Sequence, residues 1–136
     1  PGSSNAAVTL PTSAAGYSNA VAQAVSGLRL AGVEGPYALV LGAEAYTAAS
    51  GGSDEGYPEI HHLERLVDGG IIWAPALEGG VVLTTRGGDF ALDLGQDISI
   101  GYLSHSPSIV ELYFQETFTF RLLTTEAAVS LAAPAR

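Results

Sequence analysis

In 136 residues the chain carries five Arg, no Lys and 14 acidic residues, and its formal charge of -9 argues against nucleic acid or an anionic membrane as an electrostatic partner. With 47% hydrophobic and 14% charged residues it is a folded chain able to bury one core, not a disordered one. Cys is absent, which removes disulfide and thiolate chemistry and is compatible with the cytoplasm; no apolar run nears the roughly 20 residues that span a bilayer, and the opening does not read as a signal peptide.

Residues 1 to 12 are rich in Pro, Gly, Ser and Thr and read as an extended lead-in. From Ser13 to Ala31, Val21, Ala24, Val25 and Leu28 recur at helical spacing and Gly32 follows as a stop. Ser26 and Gly27 weaken that helix, so packing must hold it. Gly35-Pro36 predicts a turn, Tyr37 to Leu41 a short buried strand, and Glu44 to Ala49 a small helix. Ser50 to Gly56 reads as an exposed, mobile loop because it offers nothing to bury. Pro58 suits the first position of the next helix, where Ile60, Leu63, Leu66 and Val67 share a face and Gly69-Gly70 ends it. Ile71 to Ala74 and Val81 to Thr85 read as two strands joined by a turn at Glu78-Gly79-Gly80.

The clearest pattern runs from Asp89 to Tyr102. Phe90, Leu92, Leu94, Ile98, Ile100 and Tyr102 occupy the even positions and small or acidic residues the odd ones, which predicts a strand with one buried face. Gly95-Gln96 interrupts the row and predicts a bend or bulge that lets the strand pass from one sheet to another. Ser104 to Ser108 reads as a loop. Val110, Leu112, Phe114, Phe118, Phe120 and Leu122 then mark a long strand whose apolar face Glu116 interrupts and whose burial depends on a covering partner, without which it is an exposed, adhesive strip. Glu126 to Leu131 is a last strand and Ala132 to Arg136 a tail, and no internal repeat is visible.

No constellation of residues compels a catalytic reading. Gly87-Gly88-Asp89-Phe90 invites comparison with the diguanylate cyclase signature, but the second acidic residue and any Lys to neutralise a triphosphate are missing; a glycine turn into a strand explains it better. His61 and His62 between Glu59 and Glu64 suggest a metal site, yet adjacent histidines on a helix point about 100 degrees apart, so a solvated helix face is the better account. His105 stands alone in its loop without an identifiable partner. Asp93 and Asp97 share a strand face, which by itself is weak evidence for acid-base chemistry. Walker loops, dinucleotide fingerprints and nucleophile elbows are absent. No cofactor is called for.

Arg86-Gly87-Gly88-Asp89-Phe90, the run Leu92-x-Leu94-Gly95-Gln96-Asp97-x-Ser99-Ile100-Gly101-Tyr102 and Glu116-Thr117-Phe118-Thr119-Phe120 carry a resemblance. So do Gly35-Pro36-Tyr37, Gly56-Tyr57-Pro58 and Leu66-Val67-Asp68-Gly69 upstream. Together they resemble the C-terminal half of the shell proteins of encapsulin nanocompartments, the linocin-like family. The resemblance implies an α+β, tailed-phage capsid (HK97-like) fold, with an axial domain over residues 1 to 86 and strands returning to an incomplete peripheral domain over 87 to 136. It implies a structural subunit, not an enzyme, that self-assembles into an icosahedral cage in the bacterial cytoplasm and encloses a peroxidase or ferritin-like cargo. The missing Met and the opening Pro1-Gly2-Ser3-Ser4 read as a fragment or processed product, because the family's N-terminal helix, extended loop and spine helix would precede Pro1.

Two sites follow from the resemblance alone. Ser53, Asp54, Glu55, Gly56, Tyr57 and Glu59 match the loop around the family's fivefold axis, where five copies would form an anionic ring favouring cations; negative charge before a helix N-terminus explains the same acids without any pore. Asp97, Ile98, Ile100 and Tyr102 match part of the groove that takes the C-terminal peptide of the cargo. A degenerate nucleotide- or metal-dependent enzyme and a secreted antibacterial protein stand as alternatives.

Overall fold

The computed structural model describes residues 3–54 and 56–134, in two compact units: Pro1–Asp89 with Thr124–Arg136, and Phe90–Leu123. The chain thus leaves the first unit three residues beyond the expected boundary at 86, and its C-terminal segment rejoins that unit.

The first unit is built on a five-stranded mixed sheet. Its strands are β1 (Val8–Thr9), β2 (Tyr37–Leu41), β5 (Ile71–Trp73), β6 (Gly80–Thr84) and β9 (Ala128–Ala132), in the order β1-β9-β6-β2-β5. β5 and β6, expected as a turn-linked pair, are not neighbours: β2 lies between them, parallel to β5 and antiparallel to β6. A two-residue turn would have to join adjacent strands, whereas the stretch from Ala74 to Gly79 is long enough to cross the end of β2. The lead-in is also more than a tether. β1 pairs with β9, Leu10 is buried, and the Asn5 side chain donates to the carbonyls of Glu126 and Ala128, both at 2.8 Å.

Helix α1 (Tyr17–Leu30) begins later than Ser13, after a single 3-10 turn at Ala14–Gly16. The expected stripe of Val21, Ala24, Val25 and Leu28 is buried, and it meets Leu39 and Leu41 of β2, Val82 of β6 and Leu131 of β9 in one core. Each Val and Leu among them contributes about 1.5 to 3 kcal/mol by leaving water, which offsets the poor helix propensity of Ser26 and Gly27. Helix α2 (Ala43–Gly51) and helix α3 (Glu59–Leu66) complete the unit, with Leu63 and Val67 buried and Ile60 and Leu66 packed beside them. The expected mobile loop from Ser50 is largely structured: α2 runs on to Gly51, and β3 (Ser53–Asp54) pairs with β4 (Tyr57–Pro58).

The second unit is one antiparallel ribbon of β7 (Phe90–His105) and β8 (Val110–Leu122). β7 pairs with β8 along its whole length, so the interruption at Gly95-Gln96 is a bulge inside one ribbon and not a passage between sheets. β7 has 16 residues against 13 in β8, and the difference is absorbed at three register shifts, between Leu94 and Gln96, Gln96 and Ser99, and Tyr102 and Ser104. One extra residue would turn the remaining apolar side chains to the other face, because the strand period is two. The first two shifts lie between the apolar runs and cancel. Leu92 therefore faces Phe120 and Leu94 faces Phe118 before them, and Ile100 faces Phe114 and Tyr102 faces Leu112 after them. The buried face expected for the β7 row is corrected, with Leu94 54% exposed, whereas the β8 face stands exposed as a strip awaiting a covering partner should, with Phe114 at 69%. Two strands cannot bury a face without a covering layer. β7 also runs through to His105, which confines the expected 104 to 108 loop to the turn before Val110.

Candidate functional site

The loop joining α2 to α3 is closed at its base by backbone. Gly52 N–H donates to the Ala48 carbonyl at 2.8 Å, and Glu59 N–H donates back to the Gly52 carbonyl at 3.1 Å. Gly52 sits so near the turn before α1 that a Cβ there would lie 2.6 Å from the Ala14 Cβ, which requires glycine. Between these ends Ser53 pairs with Pro58 and Asp54 with Tyr57. Glu55 lies outside the described residues.

Glu59 departs from what a pore-lining acid requires. It is fully buried, its Oε1 accepts the Ser18 N–H at 2.7 Å, and its Oε2 has no hydrogen-bond partner among the described residues. The reason lies in α1. Its first N–H groups have no intrahelical acceptor, and the N-cap Gly16 has no side chain to supply one. A carboxylate from the start of α3 supplies the acceptor instead, with its charge matched to the positive end of the α1 dipole. Sequence reasoning grouped Glu59 with the loop acids and missed this role, since its partner stands 41 residues earlier.

Tyr57 is held by the outer face of α3. Its ring centroid lies 4.9 Å from that of His62 in an edge-on arrangement and 5.7 Å from that of His61. Arg65 places its guanidinium carbon 5.4 Å from the ring centroid and donates to the Tyr57 hydroxyl at 3.2 Å. His61 Nδ1 is 2.9 Å from Glu64 Oε2, on the shared helix face that their spacing predicts, with both side chains more than half exposed. The histidines thus serve a tyrosine contact and a local pair, and among the described residues no three His, Asp or Glu side chains gather as a metal site needs.

On the ribbon, the four groove candidates lie together in β7. Ile98, Ile100 and Tyr102 are about three-fifths exposed, and Asp97 Oδ1 accepts the Ile98 N–H at 2.8 Å. Asp97 and Ile98 form the bulge that opposes the single residue Glu116 of β8, between the Gln96–Thr117 and Ser99–Gln115 pairs. Glu116, visible in the sequence as a break in an apolar row, thus brings a second carboxylate to the bulge beside Asp97. An apolar row broken at its middle by two acids has the chemistry to receive a basic, partly apolar segment. His105 is not alone: Tyr102 hydroxyl and His105 Nδ1 are in hydrogen-bond contact, with ring centroids 6.0 Å apart.

The Gly-Gly-Asp turn is also accounted for. Asp89 is buried, and Arg86 donates to both its oxygens, from Nε to Oδ2 and from Nη2 to Oδ1, each at 2.9 Å. That ion pair holds the Asp89 carboxyl below the usual carboxylate range against the opposing pull of burial, with a smaller lowering contribution from Thr124. Such a carboxylate is already satisfied and is not presented to a metal. An open groove of about 710 Å³ beside α1 is likewise lined by engaged groups: Arg29 rests over the Tyr37 ring at 5.7 Å, and Asp68 accepts the Tyr37 N–H at 2.9 Å.

Residues 1–119 match the family model described as "Encapsulating protein for peroxidase". Over 129 residues the chain is 58% identical to a type 1 encapsulin shell protein of Rhodococcus erythropolis, covering 95% of this chain and 49% of that protein. It is 57% identical over 130 residues to the type 1 encapsulin shell protein of Mycobacterium tuberculosis, covering 96% and 49%. The chain therefore spans about half the length of these relatives. Among solved structures it resembles the virus-like particle of Pyrococcus furiosus, with a TM-score of 0.70 at 18% identity over 92% of this chain and 56% of that one. A chain of Mycobacterium phage Che8 matches with a TM-score of 0.62 at 17% identity, covering 90% and 52%. The α+β, tailed-phage capsid (HK97-like) fold expected from the sequence is the fold observed. By the extent of these matches the chain belongs to the encapsulin shell-protein family, the encapsulating proteins for peroxidase.

Proposed function

We propose that this chain is part of a structural subunit, without catalysis of its own, of a closed protein shell that assembles from many copies and encloses a cargo enzyme in the cytoplasm. The observation that carries this is the 58% identity, over 95% of the chain, to a type 1 encapsulin shell protein. The physical counterpart is the ribbon, whose apolar face is exposed among the described residues and so suits an element finished by other segments or neighbouring copies. In this reading the first unit is the axial domain and the ribbon belongs to the peripheral one. The test is electron microscopy of the protein at its relatives' full length, where closed shells of uniform diameter support the reading and dispersed subunits reject it.

Two finer roles belong to the same reading. The hairpin of Ser53, Asp54, Glu55, Gly56 and Tyr57 surrounds a pore on the fivefold axis, with Asp54 and Glu55 as its charges and Glu59 behind them as support. Replacing Asp54 and Glu55 by Asn and Gln in assembled shells should slow divalent cation entry, and unchanged entry rejects the pore. Asp97, Ile98, Ile100 and Tyr102 form part of the groove for a cargo C-terminal peptide, with Asp97 offering charge and the others apolar surface. The 136-residue chain should bind such a peptide weakly or not at all, since the family's N-terminal helix completes that groove.

A further inference from the structure

We propose that Glu59 is the positioning residue of the 53–58 hairpin, a clamp that ties the base of that hairpin to the first turn of α1. The functional consequence rests on the pore reading of this loop, whereas the clamp stands on geometry within the first unit.

Three contacts converge at the base. The Glu59 N–H holds the Gly52 carbonyl, so one residue joins the two ends of the hairpin. The Glu59 carboxylate holds the Ser18 N–H at 2.7 Å, which joins the hairpin to α1. Gly52 approaches Ala14 too closely for any Cβ, which seats the other end on the same part of the chain. α1 in turn is fixed by its buried stripe in the core. The base of the hairpin is therefore tied to α1 by one side chain, that of Glu59, beside the close approach of Gly52 to Ala14.

The choice of Glu at this position is informative. Burying a carboxylate carries a large desolvation cost, and here one oxygen has no hydrogen-bond partner among the described residues to offset it. What the side chain does supply is an acceptor at the reach needed to meet an N–H that no intrahelical carbonyl can take. Gln has the same reach and keeps one acceptor; Leu has similar bulk and none.

Hydrogen exchange on the 136-residue chain tests the clamp. In the unaltered protein the Ser18 amide should be protected although it lacks an intrahelical acceptor. Glu59→Leu should speed exchange across residues 53 to 57 by about tenfold or more, the loss expected for one charge-assisted hydrogen bond, with β2 and β6 unchanged. Glu59→Gln should restore slow exchange, which volume alone would not explain. The clamp is overturned by an unprotected Ser18 amide, by hairpin exchange that Glu59→Leu leaves alone, or by Gln behaving as Leu does. If Glu59→Leu does not fold, the Ser18 amide and the Gln variant decide. Cation entry into shells carrying Asp54→Asn and Glu55→Gln separates the two claims: unchanged entry there rejects the pore and leaves the clamp standing.

Discussion

Arg86 and Asp89 meet in a two-pronged ion pair, both bonds at 2.9 Å, at the point where the chain leaves the first unit for the ribbon. Thr124, where the chain comes back, donates its N–H to the Asp89 carbonyl at 3.3 Å. The glycine turn and the returning segment thus meet at Asp89, the first through its side chain and the second through its carbonyl.

Because Arg86 lowers the folded-state pKa of Asp89, the pair's contribution to stability is present above the unfolded carboxylate value of about 4 and is lost as pH falls through the lower folded value. The gap in thermal midpoint between the unaltered chain and Asp89→Asn should be constant near neutral pH and shrink below about pH 4. Melting curves from pH 7 to pH 2 check this, and a gap that widens in acid contradicts it.

Leu39 and Leu92 separate burial from hydrophobicity. Leu39 is 0% exposed in the core and Leu92 is 60% exposed on the ribbon. Leu39→Ala should cost about 2 to 5 kcal/mol, from lost transfer energy and the cavity left behind. Leu92→Ala should change the unfolding free energy of the 136-residue chain by less than about 0.5 kcal/mol. Denaturant titration measures both, and similar costs would show that the ribbon is covered.

Gly101 and Tyr113 are paired across the ribbon, and a Cβ on Gly101 would fall 2.1 Å from the Tyr113 ring. The ring therefore lies over the glycine, where it covers backbone that the glycine leaves bare. Gly101→Val should displace the ring, and the same change should cost less when Tyr113 is already Ala. A double-mutant cycle on ribbon amide exchange should give a coupling of about 0.5 to 1 kcal/mol. Additive effects would mean that the two do not touch.

The uncovered row should make the isolated chain associate. Ile100 and Phe114 face each other near its middle and are 64% and 69% exposed. Sedimentation of the 136-residue chain should show concentration-dependent oligomers, and Ile100→Asp with Phe114→Asp should shift it toward monomer. A monomer at all concentrations before mutation would contradict an exposed adhesive face.

Local pattern was readable in the sequence; partnership across distance was not. The α1 stripe from Val21 to Leu28 and the α3 stripe from Ile60 to Val67 were legible because helical spacing alone places them on a core face. The even-numbered row from Phe90 to Tyr102 was legible as a strand, and the dependence of the facing β8 strip on a covering partner was legible too, but not what that cover is, because alternation says which side chains share a face and not what lies over it. The place of β2 between β5 and β6 was hidden because short connections made those two look adjacent. Glu59 was read by its neighbours in sequence, whereas its task is set by Ser18 in another element. The candidate hairpin and groove came from family resemblance, and the contacts that shape them came from the fold.

The most direct measurement is electron microscopy of this protein carried to the length of its relatives, purified at neutral pH. A shell subunit gives closed, uniform, hollow particles whose symmetry sets the 53–58 hairpin around the fivefold axes. Monodisperse single subunits with a fully covered ribbon would contradict it.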